Sequence, residues 1–315
     1  MTATRISTWT RRHLLDVDEL SRAELEAVLD LGVELRGRRA AGELPDSLRG
    51  MAVALAFYEP STRTRMSFEL AARELGATVT DLSVAGSSAA KGESLIDTLR
   101  TLERTGVRMV VLRHPASGAP YLAARSLERA AILNAGDGTH AHPTQALLDA
   151  LTLREALGSL EGARVVIVGD AAHSRVARSD LHALVRLGAS VVLSGPPAWV
   201  NPFAGWPGVS VVTDLDAALT GADAVMALRV QRERAADSGV PSLGEYVARW
   251  GLAAEKLERA CPGAWLMHPG PVNEGVEITA ELSTDPRSLI GRQVENGVPI
   301  RMAVLSLLAA ELDRW

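Results

Sequence analysis

The chain has 315 residues, 47% of them hydrophobic and 23% charged, the profile of a globular protein long enough for two domains with separate cores. Its net charge of −5 excludes a general attraction to nucleic acid or anionic membranes, and an aromatic content of 4% excludes base-stacking platforms. The one cysteine, Cys261, has no internal disulfide partner, and neither a membrane-length apolar run nor a signal-peptide core is present, so a cytoplasmic location is expected.

Apolar, β-branched runs alternate with segments of helical period almost throughout. Helix is expected over Arg22–Arg36, followed by a strand over Met51–Phe57 and a helix over Ser61–Leu75. Strand Thr78–Leu82, helix Leu95–Arg104, strand Val107–Leu112, helix Pro120–Ala130 and strand Ala131–Asn134 complete a first series. Pro143–Leu157 has no helix breaker and reads as an inter-domain spine. The second series expects strands at Arg164–Val168, Ser190–Ser194, Val209–Thr213, Ala224–Ala227 and Ala264–Met267. Helices Ser174–Leu187 and Ala254–Arg259 lie among them, and Ser288–Leu312 closes the chain as a helix whose start is blurred by Gly291, Gly297 and Pro299. Such alternation predicts an α/β fold of two α/β domains, each a parallel sheet flanked by helices. Ligands of such sheets bind beyond the carboxyl ends of the strands, and most polar motifs of this chain fall there.

The most informative junction is Met51–Tyr58 running into Glu59-Pro-Ser-Thr-Arg-Thr-Arg65. Proline disfavours helix in the residue before it, Ser61 reads as an N-cap, and Phe68, Ala71, Ala72 and Leu75 define the buried face of the helix that follows. Ser61, Thr62, Arg63 and Thr64 thus stand on the first turn of a helix, where free N–H groups and the dipole favour an anion. An ordinary capped helix with solvated arginines is the alternative. Ser87-Ser-Ala-Ala-Lys-Gly-Glu93 presents Lys91, one of only two lysines in an arginine-rich chain, on what is either a functional or a plain surface loop. Arg113-His114-Pro115 ends a strand, where the guanidinium either faces a ligand or belongs to a turn. His142-Pro-Thr-Gln145 puts His142 and Gln145 on one side of a helix start.

In the second series, Gly169-Asp170 closes a strand and His173-Ser-Arg-Val-Ala-Arg-Ser179 opens a helix, with Arg175 suited to a carboxylate. The Gly-x-Gly-x-x-Gly fingerprint is missing there, so a dinucleotide is not indicated. Arg229-Val-Gln-Arg-Glu-Arg234 follows a strand; it is either a ligand site or a solvated charge cluster. His268-Pro-Gly-Pro-Val-Asn273 ends another strand in a rigid loop. No metal-ligand spacing and no nucleophile elbow accompany these residues, so no metal or other cofactor is expected. Arginines, hydroxyls, a lysine, a histidine and a glutamine suit group transfer by positioning and electrostatics, with two anionic substrates and one polarised carbonyl.

In this order, Ser-Thr-Arg-Thr-Arg, Lys-Gly-Glu, Arg-His-Pro, His-Pro-Thr-Gln, Arg-Val-Gln and His-Pro-Gly-Pro closely resemble the aspartate carbamoyltransferase catalytic chains of the aspartate/ornithine carbamoyltransferase family, from about Leu15 to Leu308. The resemblance implies transfer of a carbamoyl group from carbamoyl phosphate to L-aspartate, in pyrimidine synthesis. It places Ser61, Thr62, Arg63 and Thr64 on the phosphate, and Arg113 on phosphate and carbonyl oxygen. His142 would polarise the carbonyl, with Gln145 on the carbamoyl NH₂. Thr64, Lys91, Arg113 and His142 would then be the catalytic set. Arg175, Arg229 and Gln231, with Lys91, would bind aspartate, and Pro269 and Gly270 would line the site from their loop, on the carbamoyl phosphate. Ser87 and Lys91, both also on the carbamoyl phosphate, would come from a neighbouring subunit, making the active unit a homotrimer with shared sites. Residues 1–150 would bind carbamoyl phosphate and 151–291 aspartate, with a helix over about 292–315 returning to the first domain. Whether regulatory chains or a dihydroorotase join the trimer stays open.

Departures from the family pattern are Ala90 before the loop lysine, Val176 beside Arg175, and Glu274 where many relatives have arginine. A carboxylate at 274 is expected to turn outward. An ornithine or other amino-acid carbamoyltransferase, a non-catalytic assembly subunit of the same fold and a nucleotide-binding regulator are the alternatives. The ornithine enzymes carry a His-Cys-Leu-Pro loop, unlike His268-Pro-Gly-Pro271 here.

Overall fold

The structure, a computed structural model, describes residues 9–82, 94–230, 242–259 and 263–312. Ser87, Lys91, Gln231 and Cys261 lie outside the described residues. The chain divides into two compact units, one made of Met1–Leu147 and Asn296–Trp315, the other of Leu148–Glu295.

The first unit holds four strands, β1 (Ala52–Phe57), β2 (Thr78–Leu82), β3 (Val107–His114) and β4 (Ala131–Asp137), in one parallel sheet of order β2-β1-β3-β4. Its helices are α1 (Arg22–Ala40), α2 (Thr62–Glu74), α3 (Leu95–Arg104) and α4 (Ala119–Ser126), and α5 (Pro143–Leu157) begins in it. Strand residues two apart share a face, so Ala54, Ala56, Val110, Leu112 and Ile132 form one apolar surface, packed with Leu99 of α3 and Ala123 of α4. Phe68 on α2 is fully buried, a contribution of about 1.5–3 kcal/mol.

Two strands run further than their apolar patterns. The added residues are paired in the ladders: Arg113 of β3 with Phe57 of β1, and His114 of β3 with Asp137 of β4. Backbone pairing therefore carries β3 and β4 past Leu112 and Asn134 and takes Arg113 into the sheet. Conversely, α4 stops at Ser126 rather than Ala130, because the Glu103 carboxylate accepts from the Arg129 and Ala130 N–H groups at 2.7 and 2.8 Å and holds that segment outside the helix.

The second unit holds β5 (Arg164–Val168), β6 (Ser190–Ser194), β7 (Val209–Val211), β8 (Ala224–Ala227) and β9 (Trp265–Met267), parallel in the order β7-β6-β5-β8-β9. At the edge, β7 pairs only as far as Val211 against Leu193, short of the expected Thr213. Its helices are α6 (Arg175–Arg186), α7 (Pro197–Val200), α8 (Leu215–Leu219), α9 (Leu243–Trp250), α10 (Ala254–Glu258) and α11 (Ala280–Ser283). The short α7, α8, α9 and α11 were not foreseen; none offers enough turns to display a helical period. Val166, Val192, Val225 and Leu266 meet a ring cluster in which Tyr246 lies 5.6 Å from Trp199 and 6.1 Å from Trp250.

The last helix, α12 (Ile290–Leu312), contains Pro299 and passes from the second unit into the first at Glu295/Asn296. Its first-unit part is fastened by polar contacts: Arg36 Nη1 donates to Asn296 Oδ1 at 2.7 Å, Ser47 and Ser306 hydroxyls lie 2.8 Å apart, and Arg108 Nη2 donates to the Leu312 carbonyl at 3.0 Å. The last of these satisfies a carbonyl that a helix end leaves without an internal partner. No helix among the described residues is long and apolar enough to cross a membrane.

One buried group is held at a cost. Asp180 on α6 is fully buried, and neither carboxylate oxygen has a hydrogen-bond partner among the described residues. Burial first, and the charge of Asp149 second, push its carboxyl well above the usual carboxylate range. The folded chain thus keeps a proton that the unfolded chain releases above about pH 4, so stability falls as pH rises from there. Asp180→Asn should remove this dependence. The variant-minus-wild-type difference in Tm is expected to grow between about pH 5 and pH 8, and a flat difference would contradict it.

Candidate active site

In each sheet the chain winds outward from an inner strand and then resumes on that strand's other side. For the first unit the reversal falls between β1 and β3; for the second it falls between β5 and β8. At such a point the connections leave in opposite directions, and a crevice opens at the carboxyl ends of the two strands. The polar motifs lie at these ends.

In the first unit, Ser61 is the N-cap of α2, in extended conformation, with Thr62, Arg63 and Thr64 on its first turn. Ser21, Ser94, Ser174 and Ser242 each accept from the backbone N–H three residues on, whereas the Ser61 side chain makes no capping bond. The helix end therefore keeps donors and a hydroxyl uncommitted to capping, which is what an anion needs. Thr62 and Arg63 are exposed and Thr64 is buried. The motif's second arginine has a structural role, since Arg65 pairs with Asp81 of β2.

Arg113, buried near the end of β3, donates to Glu59 Oε1 at 2.6 Å and to the Ala135 carbonyl at 3.3 Å. Its guanidinium is thereby aligned across the ends of β1, β3 and β4. His142 is buried immediately before α5, and its carbonyl accepts from the N–H of Gln145, so both residues of that motif stand at one helix start. The approach to His142 is braced by fully buried Asp137, which accepts from Asn134 Nδ2 at 2.8 Å, Ala141 N at 3.1 Å and Gly118 N at 2.7 Å. His140 lies between Asp137 at 3.2 Å and Asp16 at 3.7 Å. The Asp137 hydrogen bond raises its pKa, while burial and then Asp18 push Asp16 up to about 7. Gly138 has φ +47°, and a Cβ there would meet Ser117 Oγ at 2.3 Å, so this turn requires glycine.

In the second unit, Arg175 is the first residue of α6 beyond β5, and Arg229 follows β8, the strand paired with β5. Both are partly exposed. Leading into α6, Gly169 has φ +122° and a Cβ would lie 3.0 Å from the Tyr246 hydroxyl, while Asp170 Oδ1 takes His173 Nδ1 at 2.8 Å. Arg178, like Arg65, is structural: it covers the Phe203 ring and donates to the Ala172 carbonyl at 3.2 Å. Pro269 and Gly270 follow β9, the neighbour of β8, in a loop whose His268 Nδ1 accepts from Gly270 N at 2.8 Å. The Gly270–Pro271 bond is cis. Glu274 is exposed.

The structure thus brings Ser61–Thr64, Arg113, His142 and Gln145 to neighbouring strand ends of one sheet, and Arg175, Arg229, Pro269 and Gly270 to those of the other. Among the described residues no cluster of three or more His, Cys, Asp or Glu side chains could hold a metal ion. Sequence reasoning missed the carboxylates that aim the cations and loops. Glu59 lay within the quoted motif, but its pairing with a residue 54 positions away left no local signal.

Two family models match the chain: "Aspartate/ornithine carbamoyltransferase, carbamoyl-P binding domain" over residues 12–155 and "Aspartate/ornithine carbamoyltransferase, Asp/Orn binding domain" over residues 161–308. An aspartate carbamoyltransferase catalytic subunit of Roseiflexus sp. (strain RS-1) is 49% identical over 307 residues, covering 96% of each chain. Among solved structures, aspartate transcarbamoylase from Trypanosoma cruzi in complex with carbamoyl phosphate and aspartate matches with a TM-score of 0.85 and 31% identity, over 96% of each chain. Ornithine carbamoyltransferase from Pyrococcus furiosus matches with a TM-score of 0.84 and 27% identity, over 94% of this chain and 96% of that one.

The unused cap of α2 separates binding from stability. Ser61→Ala should change unfolding free energy by less than about 0.5 kcal/mol, whereas Ser21→Ala, which breaks a capping box, should cost about 1 kcal/mol. Urea denaturation reads both. Calorimetric titration with inorganic phosphate should show weakened binding for Ser61→Ala and unchanged binding for Ser21→Ala. A stability loss at Ser61 equal to that at Ser21 would contradict the assignment.

Proposed function

The chain belongs to the aspartate/ornithine carbamoyltransferase family, and from that membership we propose that it transfers the carbamoyl group of carbamoyl phosphate to the amine of L-aspartate, releasing N-carbamoyl-L-aspartate and phosphate. The observation that carries the choice of acceptor is the pair Arg175 and Arg229 beyond the two strands at the reversal point of the second sheet. Two guanidinium forks match two carboxylates and repel the second ammonium of ornithine. Fold alone does not discriminate, since the Pyrococcus ornithine enzyme shares it.

The phosphate of carbamoyl phosphate occupies the first turn of α2, held by the hydroxyls of Ser61, Thr62 and Thr64, the Arg63 guanidinium and backbone N–H groups. Thr64, Arg113 and His142 donate to the carbonyl oxygen, and Gln145 holds the carbamoyl NH₂. Arg175, Arg229 and Gln231 hold the aspartate carboxylates, with Pro269 and Gly270 beside the substrates. The aspartate nitrogen forms a bond to the carbonyl carbon, and charge accumulates on the oxygen where those donors are aimed. Collapse breaks the bond from carbon to the bridging oxygen; phosphate leaves with the electron pair and takes the proton from the amine. The residues act by alignment and by stabilising the oxyanion, with no covalent enzyme intermediate. Ser87 and Lys91 reach this site from a neighbouring copy in a homotrimer. Support for that sharing comes from the exposed face of α2, where Met66 and Leu70, one turn apart, are 52% and 44% exposed next to the anion motif.

Supplying L-aspartate and L-ornithine together with carbamoyl phosphate and analysing the products tests the acceptor. N-carbamoyl-L-aspartate is the expected product; citrulline as the main product would overturn the assignment. Subunit sharing is tested by mixing Lys91→Ala with Arg63→Ala chains, each expected to lose roughly two to three orders of magnitude in turnover. Exchanged trimers should regain part of the activity, because some sites then combine two unaltered halves. Confirmed exchange without recovery would show that each site is built within one chain.

A further inference from the structure

Glu277 is 1% exposed and lies in no named helix or strand, yet its carboxylate gathers donors from two separate segments of the second unit. Oε1 accepts from the backbone N–H of Val230 at 2.7 Å and from Asn273 Nδ2 at 2.7 Å; Oε2 accepts from the backbone N–H of Asn273 at 2.8 Å. Asn273 Nδ2 also reaches the Val230 carbonyl at 3.4 Å. Because His268 Nδ1 accepts from Gly270 N, the ring proton of the neutral imidazole sits on Nε2, which lies 4.0 Å from Glu277 Oε2.

Val230 is the residue next to Arg229, and Asn273 closes the loop that begins at His268 and contains Pro269 and Gly270. A single buried carboxylate therefore clamps the segment that carries an acceptor-binding arginine to the loop beside the substrates. We infer that Glu277 is a positioning residue for the acceptor, fixing the Arg229–Val230 segment against the His268–Asn273 loop so that the guanidinium meets the substrate carboxylate in one orientation. The inference rests on the assignment of L-aspartate as acceptor.

The chemistry requires a carboxylate. Three N–H groups converge on two oxygens, and an ionised carboxyl is acceptor only. A glutamine of the same shape must turn its NH₂ either toward Val230 N and Asn273 Nδ2 or toward Asn273 N. Either way at least one desolvated N–H faces another donor, and the clamp opens on one side.

The test is steady-state kinetics of full-length Glu277→Gln beside the wild type, varying each substrate in turn. The KM for L-aspartate should rise at least about tenfold, by more than kcat falls, because a displaced guanidinium weakens acceptor binding. The KM for carbamoyl phosphate should rise less than that for L-aspartate, since of its contacts only Pro269 and Gly270 lie on the clamped loop. Inhibition by inorganic phosphate, which reports on Ser61–Thr64 of the first unit, should stay within about twofold. An aspartate KM within twofold of wild type, or an equal loss toward both substrates, overturns the inference. Asn273→Ala keeps every backbone donor and removes one side-chain donor, so a smaller rise in the same KM is expected; should Glu277→Gln not fold, an unchanged KM in Asn273→Ala overturns the inference. The wild type separates the two claims. Turnover of L-ornithine in place of L-aspartate would refute the acceptor assignment alone, and the KM comparison would then be made with ornithine, where an unchanged value again refutes the clamp.

Discussion

A parallel sheet that reverses its winding must leave two neighbouring strands whose connections depart in opposite directions, and both sheets of this chain contain such a pair. Every other feature of the site depends on that constraint. The reversal at β1 and β3 sets the N-terminus of α2 beside Arg113; the reversal at β5 and β8 sets the N-terminus of α6 beside Arg229. In each case a helix start and an arginine from the adjoining strand end share one edge. Nothing in the local sequence of either arginine brings this about. It follows from strand order.

The topology supplies places; buried carboxylates supply aim. A guanidinium on a long side chain has many rotamers, and holding it toward a ligand costs entropy unless the protein has already done so. Glu59 does this for Arg113, and Asp137 orders the turn before His142. Glu277 plays the corresponding part in the second unit, acting on backbone rather than on the guanidinium. Meanwhile Arg65 and Arg178, the second arginines of their motifs, are bound to Asp81 and to Phe203. In each motif one of the two cations is thus committed to architecture, and the other is the one proposed for the ligand.

Features that depend on near neighbours in sequence were legible. The turn from β1 into α2 could be read residue by residue, because proline, N-cap serine and the Phe68/Ala71/Ala72/Leu75 stripe are all local signals. The same holds for Ser174 before α6. What escaped is long-range. The order β2-β1-β3-β4 is decided by how strands pack, and the extension of β3 to His114 by pairing with neighbours on both sides. Glu103 halting α4 and Glu277 bridging two loops act across 26 and 47 residues, and no periodicity announces them. The Ser61 hydroxyl is an instructive middle case: the sequence marks it as an N-cap, and only geometry shows that it does not cap.

The division of labour between the two sheets bears on how one fold serves different acceptors. The proposed phosphate half offers hydroxyls, helix-end N–H groups and one buried arginine, groups suited to a small anion. In the second unit the proposed site residues Arg175, Arg229, Pro269 and Gly270 follow β5, β8 and β9, the first at a helix start and the others in loops, and loop positions tolerate substitution because they carry less of the core. A chain with 27% identity to an ornithine enzyme keeps the same fold at a TM-score of 0.84, so the scaffold permits either acceptor. On the proposed assignment, specificity resides in whether the segments after those strands present guanidinium groups, and in what holds them still. An arginine held by a rigid clamp favours a carboxylate at one position and cannot swing aside for an ammonium. On this argument, changing the acceptor requires changing the clamp as well as the arginine, because a loop that still delivers its backbone to Glu277 keeps the geometry of a dicarboxylate site.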